Sequence, residues 1–265
     1  MIFYGKPVAK KIYADLEKEL SKLKDKNICP NLGVILVGED FASLSYVRAK
    51  EKIAEKLGIG FRLFHLPGIS SEKQVEKILE DLNQNKFISG IIVQLPLPKD
   101  FNSERILQKI APKKDIDGFY GDFAPPTAEA ILEILKFYQI SPKGKKIVLL
   151  GYGRLVGKPL EKLLRKQGFE PAICEKKTPD LEGKLATAEI IVSATGVSHL
   201  IKAAMVKKEA VIIDAGTSEV GGKLAGDLDP EVYEKVKAYS PVPGGVGPVT
   251  VACLMRNVVQ ATKKP

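Results

Sequence analysis

Lys50 is the residue of this chain whose type and position are hardest to assign to packing alone. At about 100° per residue, Ser43, Tyr46, Val47, Lys50, Ile53, Ala54 and Leu57 share one face of a helix, while Arg48, Glu51, Lys52, Glu55 and Lys56 fall elsewhere. An ammonium on that apolar face has two readings. It snorkels to solvent along its alkyl stem, or it is partly desolvated, so that its pKa falls and its neutral form serves as a base near neutral pH. Gln94 ends a second apolar stretch, just ahead of Leu95-Pro96-Leu97-Pro98. There its amide can offer a donor and an acceptor to a ligand or to Lys50. Asp117, in Lys114-Asp115-Ile116-Asp117-Gly118, reads by itself as a turn former, and Pro241-Val242-Pro243-Gly244-Gly245-Val246-Gly247-Pro248 as a rigid loop.

A second kind of chemistry is written in Gly151-Tyr152-Gly153-Arg154-Leu155-Val156-Gly157-Lys158-Pro159. The loop follows an apolar run and precedes a helical one, and Pro159 suits a first helical turn. Glycines at such a turn let the backbone approach a pyrophosphate seated at the helix N-terminus. The spacing is one residue longer than the usual dinucleotide fingerprint, and glycine-rich turns also occur for structural reasons. After the next apolar run stand Cys174-Glu175-Lys176-Lys177. An acid there favours the ribose hydroxyls of NAD, and lysines favour the extra phosphate of NADP, so these neighbours argue in opposite directions.

The elements that must position these residues repeat one grammar twice. Residues 32–38, 61–66 and 89–95, then 145–151, 171–174, 189–196 and 210–216, are short and apolar, as buried parallel strands are. Helical stretches over 43–57 and 72–84 separate the first set. The expected fold is α/β, with two doubly wound domains of mainly parallel sheet, the second of Rossmann type, and a cleft between them. The first domain takes residues 1–126 and a returning C-terminal helix within 247–265. Residues 127–144 form a linking helix and turn, and 145–246 the dinucleotide-binding domain.

Bulk composition narrows the class. The chain has 265 residues, 45% hydrophobic and 28% charged, which suits a folded globular protein. Its net charge of +9 is spread along the whole length without a basic, aromatic-interleaved stripe, so no nucleic-acid partner is expected. No apolar run reaches the roughly 18 residues of a membrane span, and no secretory signal is legible. Three dispersed cysteines and two histidines offer neither a disulfide framework nor a metal cluster, and the expected setting is the cytoplasm.

Taken in order, Ser43-x-x-Tyr46-x-x-x-Lys50, Gln94-Leu95-Pro96-Leu97-Pro98, Lys114-to-Gly118, Gly151-to-Pro159, Asp214-Ala215-Gly216 and Pro241-to-Pro248 make a set. It resembles the bifunctional methylenetetrahydrofolate dehydrogenase/methenyltetrahydrofolate cyclohydrolase family over essentially the whole chain. The resemblance implies oxidation of 5,10-methylenetetrahydrofolate with NAD(P)+ and hydrolysis of the methenyl product to 10-formyltetrahydrofolate. It implies Lys50 as the catalytic lysine, with Gln94 hydrogen-bonded to it, Tyr46 against the folate rings and Asp117 on the pterin's amino-pyrimidine edge. Leu95, Pro96, Pro243, Gly244 and Gly245 would line the substrate site. Gly151, Tyr152, Gly153, Arg154, Leu155, Val156, Gly157, Glu175, Lys176, Thr195, Gly196 and Thr217 would surround the dinucleotide. A homodimer acting on tetrahydrofolate substrates, with no metal, is implied as well.

Four strings depart from the family pattern. Gly151-Tyr152-Gly153 replaces Gly-Arg-Ser, and Cys174-Glu175-Lys176 replaces Cys-His-Ser. Pro126, Ala128 and Ala130 stand for Cys, Pro and Gly, and Asp214-Ala215-Gly216-Thr217-Ser218 for Asp-Val-Gly-Ile-Asn. Tyr152 removes a charge suited to the 2′-phosphate, Lys176 can restore one and Glu175 would repel it. The choice between NADP and NAD stays open, with a lean to NADP from the family's habit. Two further readings also stay open: a cyclohydrolase with weak or lost dehydrogenase activity, and a catalytically silent folate-binding homologue.

Overall fold

A computed structural model of the chain describes residues 1–263 and divides into two compact units. One takes residues 11–126 and 251 onward, and the other residues 1–10 and 127–250.

The first of these units is built on a three-stranded parallel sheet, β1 (Asn31–Val37), β2 (Gly60–Leu66) and β3 (Gly90–Val93), in the order β2-β1-β3. Register pairs Asn31 with Gly60 and Leu32 with Gly90. Helices α1 (Gly5–Lys24, its later part here), α2 (Phe41–Leu57), α3 (Glu72–Gln84), α4 (Ser103–Gln108) and the later part of α9 (Val246–Lys263) complete it. Every residue of β3 is buried, as is every residue of β1 after Asn31, as parallel strands covered on both faces require. Val75, Leu79 and Leu82 of α3 pack on Ile35, Val37, Ile91 and Val93. β3 stops at Val93, so Gln94 stands just past the strand, although its N–H still donates to the Ile35 carbonyl at 2.8 Å.

The second unit carries a five-stranded parallel sheet of β4 (Ile147–Leu150), β5 (Ala172–Cys174), β6 (Ile190–Ser193), β7 (Val211–Asp214) and β10 (Ala238–Tyr239). Its order is β10-β7-β6-β4-β5. The chain steps outward from β4 to β5, then returns to β6 on the other side. β4 and β6 therefore flank a topological switch point, where such sheets bind ligands beyond their strand ends. Helices α5 (Pro126–Phe137), α6 (Gly157–Lys166), α7 (Leu181–Thr187) and α8 (Pro230–Lys235) belong to this unit, save that Pro126 is counted with the other.

Three features go beyond the repeated strand-helix grammar. The N-terminal twenty-residue helix α1 was hidden by a dense mixture of Lys and Glu. An antiparallel hairpin, β8 (Ser218–Val220) and β9 (Lys223–Ala225), is too short to show periodicity. Residues 1–10 also group with 127–250, although their sequence position suggested residues 1–126. The reason is local pairing: Phe3 N–H donates to Tyr239 O at 2.7 Å, and the Phe3 ring stacks on Tyr138 at 4.5 Å. No helix among the described residues is long and apolar enough to cross a membrane.

Candidate active site and dinucleotide loop

The Lys50 site is assembled from three segments at the carboxyl end of the small sheet. α2 begins directly after β1, capped by Asp40, whose carboxylate accepts from Ser43 N–H at 2.8 Å. That cap sets the helix rotation that turns Tyr46 and Lys50 to the site. The Lys50 Nζ donates to Gln94 Oε1 at 2.8 Å, and Gln94 Nε2 donates to Leu95 O at 2.7 Å. With its NH₂ engaged by that carbonyl, the amide must present its oxygen to the ammonium. Ser43, itself buried, donates to the same Leu95 carbonyl at 3.4 Å. One proline-flanked turn thus orients both the glutamine and the start of the lysine helix.

Electrostatically the site is a cation and an anion in a poorly hydrated place. Burial lowers the Lys50 pKa, and the nearby Asp117 carboxylate partly restores it. Burial pushes Asp117 up to about 6, against the pull of Lys50, and neighbouring Asp115 adds to the rise. Lys50, Tyr46 and Asp117 keep part of their surface open to solvent, so a ligand can reach them. The snorkelling alternative for Lys50 is set aside by its hydrogen bond to Gln94.

Asp117 is held by residues whose purpose was not legible in the sequence. Lys114 Nζ donates to the carbonyls of Leu82, Asn83 and Asn85, each at 2.8 Å, closing the C-terminal end of α3. Asp115 is buried and folds the next turn by accepting from Tyr120, Gly121 and Gly118 N–H at 2.7, 2.8 and 3.1 Å. Gly118 adopts φ 69°, and a Cβ there would stand 2.3 Å from the Phe123 carbonyl. Asn257, from α9, donates to Ile116 O at 2.9 Å and Ala124 O at 3.0 Å. Replacing Asn257 by Ala leaves two carbonyls without that donor. The expected cost is about 1–3 kcal/mol, read as a lower denaturant midpoint with a raised KM for the substrate; an unchanged midpoint and KM would remove this role.

The candidate dinucleotide loop divides its glycines by task. Gly151 has φ 98°, and a Cβ on it would meet the Ala194 carbonyl at 2.5 Å. Gly157 opens α6, where a Cβ would lie 2.1 Å from the Gly151 carbonyl. Gly153 is different: a Cβ there would meet no protein atom within 4 Å, leaving open space for a phosphate. A tight turn, a close helix approach and a clear backbone face are the three conditions for holding a pyrophosphate. Arg154 and Leu155 are exposed beside it, and Val156 precedes the helix without a side-chain cap.

Tyr152 turns onto α6, where its hydroxyl donates to Glu161; Glu161 is also bonded to Arg165 Nε at 2.9 Å. Lys158 Nζ lies 5.7 Å from the Tyr152 ring centre. Glu175 and Lys176 are exposed after β5, the Glu175 N–H donating to Thr178 Oγ1 at 2.7 Å. On the other side of the switch point, Thr195 and Gly196 follow β6 and Thr217 follows β7; a Cβ on Gly196 would lie 3.5 Å from the Thr217 carbonyl. Pro243, Gly244 and Gly245 form a loop of the same unit, braced by Gly5 N–H donating to Gly244 O at 2.8 Å. Gly5 has no room for a Cβ, which would stand 1.9 Å from Gly245 O.

Residues 3–117 match the catalytic domain, and 125–265 the NAD(P)-binding domain, of tetrahydrofolate dehydrogenase/cyclohydrolase. The chain belongs to the tetrahydrofolate dehydrogenase/cyclohydrolase family. Among its relatives in that family is the bifunctional protein FolD of Aquifex aeolicus, 41% identical over 278 residues, which cover 100% of this chain and 96% of the relative. The bifunctional FolD of Campylobacter jejuni superposes with a TM-score of 0.94 at 35% identity, covering 99% and 98% of the two chains. The Trypanosoma brucei family member, solved with NADP cofactor and an inhibitor, gives a TM-score of 0.94 at 32% identity, with 99% and 97% covered.

Proposed function

We propose that this chain oxidises 5,10-methylenetetrahydrofolate to 5,10-methenyltetrahydrofolate with NAD(P)+ and hydrolyses that product to 10-formyltetrahydrofolate. The observation that carries this reading is the Lys50 amine, desolvated, bonded to Gln94 and facing the field of Asp117. Gly151, Gly153 and Gly157 would hold the dinucleotide's pyrophosphate, with Tyr152, Arg154, Leu155, Val156, Glu175 and Lys176 around its adenosine end and Thr195, Gly196 and Thr217 around the nicotinamide. When bound, the dinucleotide supplies a hydride acceptor.

The protein's own part in oxidation is orientation. Tyr46 offers a flat face to the folate rings, and Leu95 and Pro96 shape their surroundings. Asp117, in its ionised form above about pH 6, accepts the N–H donors of the amino-pyrimidine edge. Holding the methylene bridge in reacting geometry replaces a bimolecular encounter by an intramolecular one. In hydrolysis the methenyl cation is already electrophilic. Lys50, deprotonated more readily than an ordinary lysine, takes a proton from the attacking water and returns one to the departing ring nitrogen. Gln94 keeps the amine aimed through both transfers.

We also assign the protein to the cytoplasm as a homodimer, in line with the family resemblance; a monomer mass by light scattering would refute the dimer. The enzymatic reading is tested by following absorbance with methylenetetrahydrofolate and NADP or NAD in parallel. Growth of the reduced-nicotinamide signal with either confirms oxidation and selects the cofactor. No signal with either, beside clean hydrolysis of added methenyl substrate, would leave only the cyclohydrolase.

A further inference from the structure

Two buried carboxylates in the dinucleotide unit take no part in the chemistry above. Asp214, the last residue of β7, and Asp227, just past β9, are fully buried. Asp227 accepts from Ser193 Oγ at 2.5 Å, from Thr195 N–H at 2.7 Å and from Val197 N–H at 3.1 Å. Asp214 accepts from Gly216 N–H at 2.9 Å and Leu228 N–H at 3.1 Å. Burial, with the charge of Asp227 second, raises Asp214 to about 7. Among the described residues, the hydrogen bonds to the two carboxylates come from backbone N–H groups and the Ser193 hydroxyl, and none from a cationic side chain.

The cost of burying two acids is high, and packing alone does not require it. The local sequence has been emptied to accommodate them. A Cβ on Gly216 would stand 2.0 Å from Asp227 Oδ1, and one on Gly226 2.1 Å from Asp214 Oδ2. The segments tied together are those that leave β6 and β7 at their carboxyl ends. If adenosine lies over β5, on the Glu175 side of the switch point, then β6 and β7 are the nicotinamide side. The carboxylates therefore tie down the backbone of Thr195, Val197 and Gly216, in the segments that would meet that half.

We propose that Asp227, supported by Asp214, is a positioning pair that shapes the nicotinamide half of the dinucleotide site and contributes little to the adenosine half. The proposal rests on the dinucleotide reading above. Asp227→Asn keeps the shape of the side chain but turns an NH₂ toward a row of donors, so at least one of the three bonds is lost. Gly216→Ala keeps the acid and displaces it by crowding.

The test is calorimetric titration of the full-length protein with NADP, NAD, and the adenosine-half fragments 2′,5′-ADP and ADP. Melting temperature and methenyl hydrolysis serve as controls for folding. For both variants the expected result is at least tenfold weaker binding of the full dinucleotide, fragment affinity within twofold of wild type, and preserved hydrolysis. Dehydrogenase KM for the dinucleotide rises in parallel. Equal weakening of fragments and dinucleotide, or no weakening of either, would overturn the pair's role while leaving the dinucleotide reading intact. Failure of the wild-type protein to bind NADP or NAD at millimolar concentration would overturn both. If Asp227→Asn does not fold, Gly216→Ala and Ser193→Ala, which removes only the 2.5 Å bond, carry the same comparison.

Discussion

Replacing Lys50 by Met should lower the rate of methenyltetrahydrofolate hydrolysis by about 10²–10⁴-fold, the range over which one positioned proton-transfer group acts. Methionine is the informative choice because it fills the lysine stem's space without an amine. It removes the partner of Gln94 Oε1 and the cation nearest Asp117, so Asp117 should become harder to ionise. The fold should persist, since the apolar face of α2 gains an apolar residue and Asp117, left without its cation, can take up a proton. The sign of the wild-type pH profile follows from the same site. Because burial lowers the Lys50 pKa, the rate rises with pH up to a plateau reached below the range of an ordinary lysine, and the variant loses that rise. Stopped-flow decay of methenyl absorbance measures both. Unchanged hydrolysis in a folded Lys50→Met protein would sink the role given to this residue.

The second large effect is expected at the phosphate loop. Gly157→Ala places a Cβ 2.1 Å from the Gly151 carbonyl and 2.7 Å from Tyr152 Cα, both backbone atoms that cannot swing aside. The loop must open, and misplacement of about 1 Å at a reacting centre costs on the order of 10²-fold. Dehydrogenase kcat/KM should fall by that amount while hydrolysis, which rests on Lys50 in the other unit, continues. Gly153→Ala separates architecture from binding. Its Cβ would meet no protein atom within 4 Å, so stability should hold while dinucleotide affinity falls. A Gly157→Ala enzyme with full dehydrogenase activity would show that no pyrophosphate is held here.

Much of this was written locally. The Gly151-to-Gly157 spacing, the apolar runs that became β1, β3, β4, β6 and β7, and a lysine on the apolar face of α2 are all short-range patterns. Their meaning survives without knowledge of what lies opposite, because turn geometry and periodicity depend on neighbours in the chain. The Lys50–Gln94 bond was also within reach, since Lys50 lies on the helix that follows β1 and Gln94 just past the adjacent β3.

Other assignments needed the folded chain. Lys114 had no role assigned to it from the sequence, yet it closes a helix about 30 residues earlier by meeting three carbonyls. Asp117 read as a turn former, whereas Asp115 makes the turn and leaves Asp117 in the field of Lys50. Asn257 and Asp227 carried no signal at all, being single polar residues whose partners lie 133–141 and 30–34 positions away. A buried polar side chain is defined by who satisfies it, and satisfaction across such separations is decided only when strands and helices have packed. The residue types able to do the chemistry are thus a property of this sequence, and the desolvation and backbone anchoring that prepare them are properties of its tertiary structure.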